Sequence, residues 1–195
     1  MILYYSPGAC SLADHIALYE AGLKFSVVKV DLQTHTLEDG RPLSDINPKN
    51  YVPVLQLDDG ELLTENIAIL SFIADKAPAL IPPGPLGRYR LLEMLGFISA
   101  ETHKAFEPVF SPDATETEKK QAGEKIASRL TLISTVMKGP YLFGEHASAA
   151  DCYLYVVLMW ARKNQLAIPA NLSSFSQHMT SRPTVQVALK HEGLA

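Results

Sequence analysis

Four prolines within nine residues constrain the fold of this chain more than any other feature. They lie in the segment that runs from Ala77 to Pro85. Because proline has no backbone N–H and a fixed φ angle, such a segment cannot form the interior of a helix or a central strand. We therefore predict a linker over residues 78–86. It divides the chain into an N-terminal domain of residues 1–77 and a C-terminal domain of residues 87–195, both of normal domain size.

The residues before the linker alternate between strand and helix patterns. Runs of β-branched and aromatic residues at 2–5 and 25–30 predict two strands, and a helix pattern at 12–21 separates them. The turn Asp58-Asp59-Gly60 predicts a hairpin that is followed by a helix over 65–76. Turn-forming residues between 32 and 50 allow at most a short irregular helix. The N-terminal domain is therefore predicted to be α/β.

After the linker, helical periodicity replaces the strand signals. The pattern predicts helices over 91–106 and 115–138, and a third helix that contains the ten apolar residues from Cys152 to Ala161. Ser148 and Asp151 have the spacing of a capping box directly before that run. A helix that is apolar on all sides must be buried, so we expect it to be the centre of an all-helical domain.

Composition and charge exclude several classes of protein. The formal net charge is −4 and the basic residues are scattered, which argues against a nucleic-acid partner. Ten apolar residues are too few to span a membrane, and the first residues lack the pattern of a secretion signal. Two cysteines are too few for a four-ligand zinc site. We expect a cytoplasmic protein without a metal centre or a membrane partner.

Cys10 is the first candidate for chemistry. It lies at the predicted start of the first helix, where free N–H groups and the helix dipole favour an anion, so we expect a lowered thiol pKa. The alternative is a buried structural cysteine. A dithiol motif is incomplete because Ala13 occupies the second cysteine position. Cys152 lies within the apolar run and is predicted to be inert packing.

Two further segments could bind an extended peptide-like ligand. A cis bond between Val52 and Pro53 would turn the backbone of Val52 toward Cys10, where an added strand could pair with it; a trans turn proline is the alternative. Thr64 is predicted to cap the next helix. The N–H groups near Asn66 would then suit a carboxylate and Glu65 an ammonium group, unless both residues serve helix capping alone.

His103 is the last candidate in the sequence. On a helical period it shares a face with Gly96 and Ser99, whose small side chains would admit a ligand or another subunit. The alternative is a hydrogen-bonded histidine of the core.

In their order and spacing, these segments resemble a bacterial glutathione transferase of the beta class over essentially the whole chain. The resemblance rests on residues 4–12, 47–48, 52–53, 57–60, 63–65, 103–104 and 148–151. It implies a thioredoxin-like domain of order βαβαββα, then an all-helical domain, and a homodimer. It also implies a detoxification enzyme that conjugates glutathione, its co-substrate, to small hydrophobic electrophiles without a further cofactor.

The resemblance also implies a set of site residues. Catalysis would involve Cys10 and His103 at the glutathione sulfur. The residues implied in glutathione binding are Cys10, Ser11, His35, Val52, Pro53, Glu65, Asn66, His103 and Lys104. His35 stands where the family often has lysine for the glycine carboxylate, so we expect a weaker or more pH-dependent affinity. Gly96 replaces an asparagine that helps across the dimer in relatives, and Tyr5 is a second-rank candidate at the sulfur.

Two other functions compete with conjugation. The protein could be a glutathione-dependent reductase in which Cys10 attacks a disulfide and glutathione resolves the product. It could also be a non-catalytic protein that binds apolar ligands between its domains.

Overall fold

The computed structural model describes residues 1–195, and it begins with a five-stranded mixed sheet. The strands have the spatial order β3-β2-β1-β4-β5, with β1 parallel to β2 and antiparallel to β4. Two helices belong to this domain. The elements are β1 (Ile2–Tyr5), α1 (Ser11–Glu20), β2 (Ser26–Asp31), β3 (Thr36–Leu37), β4 (Val54–Gln56), β5 (Leu62–Thr64) and α2 (Asn66–Lys76).

The central strand β1 separates two apolar layers. Leu3 and Tyr5 belong to the large core that also contains side chains of α1 and α2, whereas Tyr4 packs in a smaller cluster with Val30 and Val54. Successive side chains of a strand point to opposite faces of the sheet, so the five apolar residues at the start of the chain cover both faces at once.

The mixed sheet followed by a helical domain confirms the predicted fold class. In place of a second helix, the chain forms a single 3-10 turn at Leu43–Asp45 and the two-residue strand β3. A positive φ angle at His35 turns the chain from β2 into β3, and Gly40, which also has a positive φ angle, lies in the turn that follows β3. Pro42 limits the helical turn that comes next.

Between α2 and the next helix, the proline-rich segment contains a 3-10 turn at Pro78–Leu80. The next helix, α3, begins at Gly87, which lies directly against this segment. A Cβ atom at Gly87 would come within 1.8 Å of the Pro82 carbonyl oxygen. Only glycine fits this close approach, so the linker and the start of α3 hold each other in place.

The C-terminal domain is all-helical. Its helices are α3 (Gly87–Phe97), α4 (Glu107–Phe110), α5 (Glu116–Val136), α6 (Ala149–Lys163), α7 (Ala170–Ser181) and α8 (Pro183–His191). None of the helices is long and apolar enough to cross a membrane.

The helix predicted over 91–106 is interrupted. A π-helical segment, Ile98–His103, and a 3-10 turn, Lys104–Phe106, lie between α3 and α4. Pro108 has no N–H for the carbonyl of Lys104, which accounts for the end of regular helical bonding there. A π turn changes the angular period, so the predicted shared face of His103 with Gly96 does not follow from a 3.6-residue repeat.

Helix α6 is the centre of the molecule, as its apolar run predicts. Every residue from Cys152 to Ala161 is buried except Met159, which is half-buried. The helix packs against α1, α2, α3 and α7, and one continuous apolar core contains side chains of both domains. The shared core therefore gives the domains one relative orientation.

The predicted capping box at the start of α6 is present and buried. The Asp151 carboxylate accepts hydrogen bonds from the Ser148 N–H at 2.7 Å, the Ser148 hydroxyl at 2.6 Å and the Leu142 N–H at 2.8 Å. All three donors would lose their partner if Asp151 were removed.

We expect Asp151→Ala to lower the free energy of unfolding by roughly 3 kcal/mol or more, because each buried donor left without a partner costs about 1–3 kcal/mol. Glu118→Ala is the matched control, since Glu118 closes an equivalent but exposed capping box with Thr115. Glu118→Ala should lower the free energy of unfolding by less than about 1 kcal/mol. Urea unfolding measures both; equal losses would contradict a special contribution of the buried cap.

Candidate active site

Cys10 lies in the loop that connects β1 to α1, at the N-terminal end of the helix. Its S–H donates to the Val52 carbonyl oxygen, 3.7 Å from the sulfur. The Val52–Pro53 peptide bond is cis, and the Val52 N–H has no partner within the chain. The structure therefore brings Cys10 beside a free backbone donor at the edge where an extended peptide can pair.

The predicted low pKa of Cys10 is wrong. Burial raises the pKa of the Cys10 thiol to about 12, and the carboxylate of Asp14 adds to this effect; the backbone N–H groups of Cys10 and Ser11 act in the opposite direction but are weaker. Part of the residue is exposed, but the thiol itself is surrounded by protein. Cys10 is therefore a neutral thiol that can donate a hydrogen bond.

The hydroxyl of Ser11 is bonded within the protein, so only the backbone N–H of this residue is left to meet a ligand. The side chain is buried, and its hydroxyl donates to the Ser6 carbonyl and accepts from the Ser6 N–H. These two hydrogen bonds join the two ends of the loop that carries Cys10. The predicted role of Ser11 near the sulfur is therefore limited to its N–H group.

Glu65 occupies the N-cap position of α2 with a φ angle of 74°. Thr64, predicted to be the cap, instead ends strand β5. The exposed Glu65 carboxylate accepts from the Lys49 ammonium at 2.5 Å and from the Tyr51 hydroxyl at 2.6 Å. Both hydrogen bonds lower the pKa of Glu65, and the one from Lys49 has the larger effect. Glu65 is thus an ionised carboxylate that already holds an ammonium group.

Asn66 ties helix α2 to the Cys10 loop. Its side chain is buried and its amide donates to the carbonyl oxygen of Cys10 at 3.0 Å. The amide is therefore used inside the protein, and only the backbone at the start of α2 is left to meet a ligand.

The two other predicted basic residues are exposed. His35 has a φ angle of 54°, and its Nδ1 lies 3.1 Å from the carbonyl oxygen of Asn50. This bond places His35 near the turn that leads to Val52. Lys104 follows the π-helical segment and makes no ion pair.

His103 faces helix α6. Its Nδ1 is 2.6 Å from the Tyr153 hydroxyl, and its ring meets the edge of Trp160 at 4.8 Å between centroids. Burial lowers the pKa of His103, so the ring is neutral. Sequence reasoning missed Tyr153 and Trp160. They are seven residues apart and share one helix face, but the apolar run around them made both look like ordinary core.

A hydrogen-bonded network fixes the loop before Cys10 from the C-terminal side. Trp160 donates from its indole N–H to the carbonyl oxygen of Gly8, and the Gly8 N–H donates to Glu192. The other Glu192 oxygen lies 2.9 Å from Nδ1 of the buried His15. Both polar groups of Gly8 are thus bound by the helical domain and the C-terminal tail, which holds the loop before Cys10 against the helical domain.

A mixed sheet with a cysteine at the start of its first helix, packed against an all-helical domain, is the two-domain architecture of glutathione transferases. The chain belongs to the glutathione S-transferase family. It matches the family models described as "Glutathione S-transferase, N-terminal domain" over residues 9–76 and "Glutathione S-transferase, C-terminal domain" over residues 97–183.

Three similar proteins from bacteria illustrate the match. The chain is 42% identical to glutathione S-transferase GstA of Escherichia coli O157:H7 and covers all of both sequences. It is 45% identical to a sphingomonad glutathione S-transferase in complex with glutathione, with a TM-score of 0.92 and full coverage of both chains. A structure described as a bacterial beta class enzyme from Sphingomonas chungbukensis is 44% identical, with a TM-score of 0.91 and full coverage of both chains. The resemblance is confirmed.

We expect Cys10 to react slowly with iodoacetamide at pH 7, because only the thiolate is a good nucleophile and burial keeps the thiol neutral. The rate should rise about tenfold for each pH unit between pH 7 and 9. Cys152, which is fully buried, is an internal control that should react only after unfolding. Peptide mass spectrometry follows both residues; a fast, pH-independent reaction at Cys10 would show a thiolate.

Proposed function

We propose that this protein is a glutathione transferase that conjugates the glutathione thiol to small hydrophobic electrophiles. The observation that carries this proposal is the contact between Glu65 and the Lys49 ammonium, beside the free N–H of Val52. It supports a site for a ligand that has an ammonium group at one end and a peptide backbone next to it. Glutathione has both, and the chain belongs to the family that binds it.

In the proposed complex, the γ-glutamyl ammonium replaces Lys49 at Glu65, and its carboxylate meets the N–H groups at the start of α2, beside Asn66. The cysteinyl unit pairs with the backbone of Val52, ahead of Pro53. His35 meets the glycine carboxylate, and the cation of Lys104 adds to the positive potential around the peptide.

The sulfur of glutathione would then lie near Cys10 and His103. The neutral Cys10 thiol donates to the sulfur, as do the backbone N–H groups of Cys10 and Ser11. When the Tyr153 hydroxyl donates to Nδ1, the proton of the neutral His103 ring lies on Nε2, and His103 is then a further donor. These donors stabilise the glutathione thiolate, so that the thiol loses its proton to water. The thiolate then attacks an electrophilic carbon; an S–C bond forms and the leaving group departs with its electron pair.

The chemistry needs no cofactor besides glutathione as co-substrate, since the thiolate is itself the nucleophile. Removal of reactive electrophiles is a detoxification reaction. We place it in the cytoplasm because two free cysteines suit a reducing compartment.

The competing reductase function needs a thiolate at Cys10. That thiolate would attack a mixed disulfide, form a protein–glutathione disulfide and release the other thiol; a second glutathione would then restore Cys10 as glutathione disulfide leaves. The raised pKa of Cys10 favours conjugation, because a neutral thiol is a good hydrogen-bond donor and a poor nucleophile.

Cys10→Ala separates these functions. We expect it to retain conjugation of glutathione to a model aryl halide within about tenfold, the net value of one hydrogen bond among several, and to abolish reduction of a glutathione mixed disulfide. Glu65→Gln is the control, because it should weaken glutathione binding in both assays. If Cys10→Ala lost all glutathione binding, this division of roles would be wrong. Ligand binding without glutathione turnover, unaffected by either change, would indicate a non-catalytic binding protein.

We also propose a homodimer. In support, a groove of about 480 Å³ lies between α3 and the end of α5, with mainly apolar lining that includes Phe97, Leu132 and Val136. Leu132 and Val136 are about half exposed, at 47% and 53%, and Tyr89 on α3 is 67% exposed. A second copy would cover these side chains.

Sedimentation at micromolar concentration should therefore give twice the mass of one chain. Leu132→Glu, which places a charge on the apolar groove, should shift the protein toward monomer. Lys120→Glu, an exposed change near the other end of the same helix, is the matched control and should leave the mass unchanged. A wild-type monomer would contradict the dimer.

A further inference from the structure

A buried carboxyl group near the proposed sulfur site has no partner. Asp14 lies in the first turn of α1 and is fully buried, and neither of its carboxyl oxygens has a hydrogen-bond partner. A buried carboxylate without a partner is costly, so chains rarely keep one without a reason. The proposed function uses no such group.

Asp14 is one helical turn from Cys10. The backbone of Cys10 already has helical φ and ψ angles, so the two residues stand in an i, i+4 relation on the same face of α1. That spacing places the Cβ atoms about 5–6 Å apart. The carboxylate of Asp14 is the main charged group that opposes ionisation of the Cys10 thiol.

No cation compensates Asp14. The titratable groups that act on Asp14 or Cys10, or respond to them, are Cys10 itself, Tyr5 on β1, Glu65 at the start of α2, Cys152 and Tyr153 on α6, and Glu192 after α8. Beside Asp14, His15 packs against Tyr5 and Tyr19 and against His191 of α8. Among all these groups only the two histidines can be basic; Nδ1 of His15 is bonded to Glu192 and Nδ1 of His191 to the Tyr19 hydroxyl. A negative charge on Asp14 therefore acts on the sulfur without neutralisation.

We propose that Asp14 is a positioning residue that reinforces the donor role of Cys10: once ionised, its uncompensated carboxyl opposes a second negative charge one turn away, so that Cys10 donates a hydrogen bond and does not attack disulfides. This inference rests on the proposed role of Cys10 beside the glutathione sulfur. It adds one charged group to the burial that already opposes ionisation of Cys10.

The test is the pH profile of Cys10 alkylation by iodoacetamide in the full-length protein. Asp14→Asn keeps the shape of the side chain and removes the charge. It should make Cys10 react about tenfold faster or more between pH 8 and 10, since a like charge at this distance raises a pKa by about one unit or more. A profile that superimposes on that of the wild type would overturn the proposal.

A loosened structure would also speed up alkylation, and Cys152 reports on this. It is fully buried on α6, so the proposal requires Cys152 to stay protected in Asp14→Asn. Equal acceleration at both cysteines would overturn the proposal, because Asp14 would then act only on packing. Asp14→Ser, which also lacks the charge but is smaller, should show the same acceleration at Cys10.

Stability gives a second readout. Burial raises the pKa of Asp14 well above its ordinary value, so the folded state binds this proton more tightly than the unfolded state. The stability that this proton contributes is present below about pH 4 and is lost as the pH rises through the raised pKa. The free energy of unfolding of the wild type should therefore fall relative to Asp14→Asn as the pH rises. A difference that does not change with pH would contradict a buried, unpaired carboxyl.

Neither measurement uses glutathione or the conjugation reaction. Absence of conjugation in the wild type would therefore count against the proposed function and leave the Asp14 result intact. The reverse outcome, conjugation with no effect of Asp14→Asn on alkylation, would count against Asp14 alone.

Discussion

Burial of helix α6 is the constraint on which the rest of the structure depends. Its apolar run packs against both domains, and its first turn is closed by the buried carboxylate of Asp151. The same helix provides Tyr153 to His103 and Trp160 to Gly8. Core and site therefore share one element: the packing that joins the domains also determines where the Cys10 loop lies relative to the helical domain.

Desolvation outweighs the helix dipole at Cys10. A helix N-terminus contributes only a fraction of a charge, and its effect on an exposed group is about 1 kcal/mol or less. Removing a thiolate from water costs more, and the carboxyl of Asp14 adds to that cost. A cysteine at this position is thus a thiol that hydrogen-bonds to Val52, and glutathione itself is left as the group to be ionised.

Much of the fold follows from local patterns, because strands, caps and proline breaks depend on nearby residues. β1 has its predicted bounds, Ile2–Tyr5, and the capping box of Ser148 and Asp151 is present. The pattern did not predict the π-helical segment before Lys104, since a π turn leaves composition unchanged and shifts only the angular period. Nor did it predict that Glu65, with its positive φ angle, would cap α2 in place of Thr64.

The sequence by itself determined the two-part architecture, the buried C-terminal helix and the residues that could carry the chemistry, because periodicity, turn residues and prolines act over a few positions. Only the tertiary structure decided the ionisation state of Cys10, the partners of His103 and the isolation of Asp14. These properties depend on which distant elements exclude water from a group and which charges stand beside it. Burial and charge are sums over the whole fold, so no local pattern contains them.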